Sequence, residues 1–178
     1  MKNFKTISLM FPLYKDRRTV KKMIFKSLKV LKKIKKKHEI VIVDDGCPEN
    51  SGDYAKKLSK NIPSVKVIFH KKNLGYGAAL KTGMKNCKYD WIFQIDGDAE
   101  YDVNDLPRLI KSSHNSDLVI TYRYKRKYNT ARIIISVVYN MLLRILFNTN
   151  FRDVSTGSRL FKRSILKKVK LTTNSPFV

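Results

Sequence analysis

The chain reads as an α/β domain built on a doubly wound, mainly parallel sheet with helices on both faces. Three observations predict this. Short β-branched and aromatic runs alternate with helical patterns over the first 121 residues, a βαβαβαβ rhythm. Two of those runs end abruptly in carboxylates. The length of 178 residues fits one domain with a real core.

The elements follow in order. Thr6–Phe11, Ile40–Val43, Val65–Phe69, Trp91–Ile95 and Leu118–Thr121 have the composition of strands. Across Arg17–Lys37, Val20, Ile24, Leu28, Leu31 and Ile34 recur at helical spacing, with lysines on the outer face. Ser51–Ser59 is a short helix with Ser51 as its N-cap. Tyr76–Asn86 is a third, entered through Gly75 and Gly77, and Leu106–Ser113 a fourth. No repeat, linker or domain boundary interrupts residues 1–121, so the whole chain, 1–178, is expected to be one domain with a second half from 122 to 178.

That second half differs in character. Arg123–Arg132 is a basic loop, and Ala131–Phe147 is the most apolar stretch of the chain. Arg132 and Arg144 bracket 11 residues, roughly 16 Å of helix and about half a bilayer core. Such a helix cannot span. It either lies in a membrane interface with its arginines at the headgroups or packs as a core helix.

Composition narrows the classes. A hydrophobic fraction of 43% excludes disorder, and 38 Lys+Arg against 14 Asp+Glu give a net charge of +24. That field attracts polyanions: nucleic acid, an anionic membrane surface or phosphorylated substrates. Cys47 and Cys87 have no metal-ligand spacing and form no disulfide framework, which fits a reducing, cytoplasmic setting. The N-terminus lacks the apolar run of a signal peptide.

Against this basic background, Trp91-Ile-Phe-Gln-Ile-Asp-Gly-Asp-Ala-Glu-Tyr-Asp102 is conspicuous. A buried strand ends in Asp96 and Asp98, with Glu100 two residues further on. Carboxyl ends of strands are where open α/β sheets bind ligands, and Mg²⁺ or Mn²⁺ is typically held by one or two carboxylates plus substrate phosphates. Val41-Ile-Val-Asp-Asp-Gly-Cys47 is a second such strand; Asp44 or Asp45 there can accept hydrogen bonds from a base or ribose, or simply close a turn. Asn73-Leu-Gly-Tyr-Gly-Ala-Ala79 opens a helix with glycines that admit a ligand to the backbone. It is not the dinucleotide pattern, since Ala78 and Ala79 follow Gly77. Arg123, Arg132 and Arg159 suit phosphate oxygens, whereas most lysines read as a solvated face. His38, His70 and His114 stand in no ligand or triad spacing and read as structural.

Taken together these segments resemble the family 2 glycosyltransferases, most closely the dolichyl- and polyprenyl-phosphate sugar synthases. Phe11-Pro-Leu-Tyr-Lys-Asp16 is similar to the opening Pro-x-Tyr-Asn-Glu pattern. Val-Asp-Asp-Gly-Cys47, Asn73-x-Gly-x-Gly77, Asp96-x-Asp98 with Leu106-Pro-Arg-Leu109, Asp117-Leu-Val-Ile-Thr-Tyr-Arg123, Arg132-x-x-x-Ser136 and Asp153-Val-Ser-Thr-Gly-Ser-Arg-Leu-Phe161 follow in the family's order. The resemblance implies a GT-A fold and a metal-dependent, inverting transfer of a sugar from a nucleotide-diphosphate sugar to a polyprenyl phosphate. It implies a nucleoside pocket of Pro12, Tyr14, Asp16, Asp44 and Asp45, with Gly75 in the nucleotide-side loop. It further implies Mg²⁺ or Mn²⁺ on Asp96, Asp98 and Glu100, and an acceptor phosphate on Arg123, Arg132, Ser136 and Arg159, so that Asp98, Arg123 and Arg132 carry the catalytic work. The expected location is peripheral, on the cytoplasmic face of an anionic membrane, with a separate membrane-anchoring protein as a further partner and no role for nucleic acid.

The departures are Lys15 for Asn, Asp16 for Glu, Cys47 for Ser and Glu100 for Gln. The chain ends at Ser175-Pro-Phe-Val178, where the family normally continues, so the acceptor half reads as C-terminally short. The alternatives are transfer to a glycan or soluble acceptor, an inactive nucleotide-binding relative, and a basic nucleic-acid-binding module. The last leaves Asp96, Asp98 and Glu100 without a purpose.

Overall fold

A computed structural model describes residues 4–122, 130–148, 151, 153 and 156–174, with the backbone alone for 130–134. The elements run β1 (Thr6–Leu13), α1 (Val20–Ile34), β2 (Lys37–Asp44), α2 (Ser51–Leu58), β3 (Val65–Phe69), α3 (Tyr76–Asn86), β4 (Trp91–Gln94), α4 (Leu106–Ser112), β5 (Leu118–Ile120), α5 (Thr130–Phe147) and β6 (Arg159–Lys162). They form a six-stranded sheet in the order β3-β2-β1-β4-β6-β5. The pairs β1–β2, β1–β4 and β2–β3 are parallel, as the alternating rhythm predicts, and β4–β6 is antiparallel. No strand was expected at β6. Only its pairing with β4, Trp91 opposite Lys162 and Gln94 opposite Arg159, makes it one.

Strand alternation explains the two-layer core. Ile7, Leu9, Phe11, Ile40, Ile42, Trp91 and Phe93 point to one face and pack on Met23, Ile24 and Leu31 of α1 and Leu106 and Leu109 of α4. Met10, Val41, Ile92 and Phe161 point to the other and pack on Leu80 and Met84 of α3. Both faces of the central strands are buried, so those strands are apolar at nearly every position instead of alternating.

Some boundaries shift for local reasons. Thr19 and Val20 donate to the Asp16 carbonyl, so α1 starts at Val20, not Arg17. It stops at Lys35, which is left-handed at φ 55°, because Lys37 is already paired with Thr6. The N-cap of α2 is Asn50, not Ser51; Asn50 takes a left-handed φ of 55°, which Asn tolerates better than Ser, and Ser51 becomes the first helical residue.

The chain divides into two compact units, Met1–Val119 with Gly157–Val178, and Ile120–Thr156. Residues 157–178 therefore return to the first unit, because β6 belongs to its sheet. In the second unit α5 leaves Ile135, Val137, Met141, Ile145, Leu146 and Phe147 exposed, unlike a core helix. No described helix is long and apolar enough to cross a membrane.

Candidate active site

The carboxyl ends of β1, β2 and β4 and the entry to α3 enclose a cleft of about 390 Å³. Pro12, Tyr14, Asp16, Asp45, Asn73, Gly75, Tyr76, Asp96 and Asp98 line it. Residues scattered over 87 positions meet because three parallel strands end side by side. The closeness needs glycine: a Cβ on Gly97 would overlap the Pro12 carbonyl, and one on Gly157 would overlap the Asp96 carboxylate.

The two aspartates of the second motif separate. Successive side chains of a strand face opposite ways. Asp44 turns away from the cleft and accepts hydrogen bonds from the backbone N–H of Cys47, at 2.7 Å, and of Gly52. It is 4% exposed and closes the turn into α2, so it does not line the expected nucleoside pocket. Asp45 does face the cleft, but its oxygens are already engaged. They accept from Leu74 N–H at 3.0 Å and Gly75 N–H at 2.9 Å, and lie 2.7 Å from His70 Nδ1. Asp45 thereby fixes the glycine loop that forms one wall. Gly75 itself sits at φ 93°, a conformation that side chains disfavour. His70, read from the sequence as structural, braces this wall, with Nε2 2.9 Å from Thr82 Oγ1 on α3.

On the opposite wall, Asp16 accepts from the Tyr14 N–H at 3.1 Å. Burial raises its pKa against that hydrogen bond, and the charges of Asp98 and Glu49 raise it further. Lys15, where the family has Asn, takes a left-handed φ of 63°, and its N–H donates to Cys47 Sγ at 3.1 Å.

Asp96 and Asp98 converge at the cleft, and Glu100 does not join them. Asp98 accepts the Glu100 N–H at 2.9 Å while Ala99 sits at φ 63°, a tight turn that directs Glu100 to a neighbouring hollow with Lys22, Lys26 and Asp102. Among the described residues, no three carboxylate, imidazole or thiol groups gather into a cage. Asp96 is the most perturbed acid. Burial pushes its pKa up to about 6; Asp98 and Glu100 add to the rise, while the Tyr76 hydroxyl and Arg159 oppose it. Tyr76 donates its hydroxyl to Asp96 Oδ1. A half-buried carboxyl pressed by like charges beside a second carboxylate is a donor set that fits a hard divalent cation, with substrate phosphates completing the coordination.

The remaining predicted residues divide. Arg159 opens β6 opposite Gln94, two residues before Asp96. Ser136 lies in α5, where its carbonyl accepts from Asn140 Nδ2 at 2.8 Å. Arg123, and the side chain of Arg132, lie outside the described residues. The sequence reading did not single out Tyr76, Tyr101 or Gly157. Tyr101 accepts the Gly157 N–H at 2.9 Å and so holds the bend before β6 that packs on Asp96. The glycine-rich motif pointed to the loop, but nothing in it marked Tyr76 as a partner of Asp96.

Residues 8–170 match the family Glycosyl transferase family 2, and the chain belongs to it. It is 28% identical to an undecaprenyl-phosphate mannosyltransferase of Micrococcus luteus, over 75% of this chain and 58% of that protein. It is 26% identical to an undecaprenyl-phosphate 4-deoxy-4-formamido-L-arabinose transferase of Pseudomonas syringae pv. syringae, over 91% of this chain and 49% of that one. The chain thus spans about half the length of the curated relatives it matches. Its fold is that of the GT-A glycosyltransferases. A glucosyl-3-phosphoglycerate synthase of Mycobacterium tuberculosis, solved with Mn²⁺, UDP and phosphoglyceric acid, superimposes with a TM-score of 0.70 at 18% identity, covering 93% of this chain and 58% of that one. A mannosyltransferase of Pyrobaculum calidifontis with GDP-Man and Mn²⁺ gives 0.63 at 14% identity, over 91% and 46%.

Proposed function

We propose that this chain carries the donor and metal site of an inverting glycosyltransferase that moves a sugar from a nucleotide-diphosphate sugar to a polyprenyl phosphate. The observation that carries the reading is the pair Asp96 and Asp98 just past the strand end, one of them half-buried and held by Tyr76. The similarity to two undecaprenyl-phosphate sugar transferases supports the lipid acceptor.

Pro12, Tyr14 and Asp16 bound the nucleoside, and Asp45 acts through the loop it holds. Asp96 and Asp98 would bind Mg²⁺ or Mn²⁺, which supplies neutralisation of the charge on a leaving diphosphate. Glu100 contributes negative potential from outside the cleft. An acceptor phosphate is ionised near neutral pH, so its attacking oxygen needs orientation more than a general base. Arg123, Arg132, Ser136 and Arg159 are assigned that orienting role, for which guanidinium is suited by its bidentate geometry. The apolar surface of α5 and the positive field would hold the enzyme peripherally on an anionic membrane, where such an acceptor resides. Folded Ile135→Asp should then bind anionic vesicles more weakly than wild type in co-sedimentation; equal binding removes α5 as the anchor.

The direct test is transfer of radiolabelled sugar into an organic-extractable polyprenyl phosphate. Arg132→Ala should lose about 10- to 150-fold in rate, the equivalent of one charge-assisted hydrogen bond. Its donor binding should survive. Label appearing only in a water-soluble product would replace the lipid acceptor with a soluble one.

A further inference from the structure

The opposite end of β4 holds a second hollow, of about 410 Å³, which nothing in the donor chemistry uses. Its cations are Lys85, at the end of α3, Lys162 and Arg163, where β6 runs into the 3-10 helix Arg163–Lys167, and Lys167 itself. Trp91 and Met84, both buried, form an apolar lining, and Ser164 adds a hydroxyl.

The frame is rigid. Arg163 N–H donates to the Asp90 carbonyl at 2.8 Å and Lys162 N–H to the Asp117 carbonyl at 2.9 Å. Two acids lie nearby, and one of them is ion-paired. Asp90, the one carboxylate of the lining, accepts from Thr6 Oγ1 at 2.8 Å. Asp117 is 2.6 Å from Lys162 Nζ, which also lies 5.6 Å from the Trp91 ring centroid. Among the described residues, Lys85, Arg163 and Lys167 have no carboxylate partner. Four cations against the lining carboxylate Asp90 and the Lys162-bound Asp117 leave the concavity with a net positive potential and donors to satisfy.

We propose that this hollow is a second binding site, for a phosphate group, formed by Lys85, Lys162, Arg163, Ser164 and Lys167 and separate from the donor cleft. Five residue steps of chain run from Trp91 to Asp96, roughly 16 Å when extended, so one phosphate cannot serve both places. The phosphate comes either from a soluble organic phosphate or from a phospholipid headgroup.

The test uses the full chain in chelator, with two probes: inorganic pyrophosphate in calorimetry, and phosphatidylglycerol vesicles in co-sedimentation. Arg163→Glu with Lys167→Glu should weaken one of the two by at least about tenfold, the scale of one lost charged hydrogen bond. Lys32→Glu with Lys33→Glu, reversing the same charge on the exposed end of α1, should not. Loss of pyrophosphate binding alone assigns a soluble phosphate; loss of vesicle binding assigns a headgroup. Equal weakening by both double variants would reduce the site to the general field of a basic protein and overturn it. Unchanged binding of both probes in Arg163→Glu/Lys167→Glu would overturn it as well. A retained metal-dependent nucleotide response shows that the variant is folded; should it not fold, Arg163→Gln with Lys167→Gln replaces it.

Discussion

The two ends of β4 carry opposite charge. Past its carboxyl end, Asp96 and Asp98 share a cleft with Asp16 and Asp45, and at its amino end Lys162, Arg163 and Lys167 gather around Trp91. Both are hollows of similar size on one rigid strand in a chain of net charge +24. The acids are therefore not a consequence of composition. Burial has raised the pKa of one of them to about 6 against the prevailing positive field, which leaves the acidic end in want of a cation and the basic end in want of an anion.

The comparison breaks most completely at Asp98. Without metal the acidic end should repel a diphosphate; with Mg²⁺ or Mn²⁺ it should bind one. A nucleotide diphosphate at 100 times its dissociation constant should add about 2.7 kcal/mol of apparent stability in the presence of metal. Asp98→Ala should remove that increment in a thermal-shift titration. An equal gain in chelator would show that the acids are not the metal site.

Gly157→Ala comes next. Its methyl group would collide with the Asp96 carboxylate, so one or the other must move. Overpacking of this kind costs about 1–3 kcal/mol, readable by denaturant unfolding, and the metal response should weaken with it. A variant as stable and as responsive as wild type would mean that the bend at Gly157 does not hold Asp96 as described.

A smaller effect separates Tyr76 from the scaffold. A raised folded-state pKa means that Asp96 favours folding while protonated; that contribution is present below about pH 4 and is lost as the pH rises through about 6. A cation binds the ionised form, so the metal-dependent gain should appear as the pH rises through that same range. Tyr76 favours ionisation by donating to Asp96. Tyr76→Phe should therefore shift the midpoint of the metal response upward, by roughly one pH unit for about 1.4 kcal/mol. An unshifted midpoint would make Tyr76 a packing residue only.

These expectations differ in how far the chain alone supports them. Asp96 and Asp98 were legible because a buried strand that stops in two carboxylates is a local pattern, and in a parallel sheet the strand end and the ligand edge coincide. The strands and the helices α1, α3 and α4 were legible for the same reason: β-branched runs and helical spacing are local and cooperative. Asp44 and Asp45 were not separable in the sequence. One residue of phase decides that Asp44 turns toward α2 and Asp45 toward the cleft, and only the register of β2 against its neighbours sets that phase. The place of Glu100 was not legible from spacing, because the extended i, i+2, i+4 run is broken by the Asp98–Glu100 turn, which sets Glu100 in the neighbouring hollow.

What the sequence determined by itself is the layered α/β core, the acidic strand end and the membership implied by the order of its motifs, all written in near neighbours. What only the tertiary structure decided is non-local: the insertion of β6 between β4 and β5, the seating of Gly157 on Asp96, the hydroxyl of Tyr76 reaching the same carboxylate, and the basic hollow at the other end of β4. Each joins segments 20 to 83 residues apart, and such pairings are fixed by packing and backbone hydrogen bonds that no local propensity encodes.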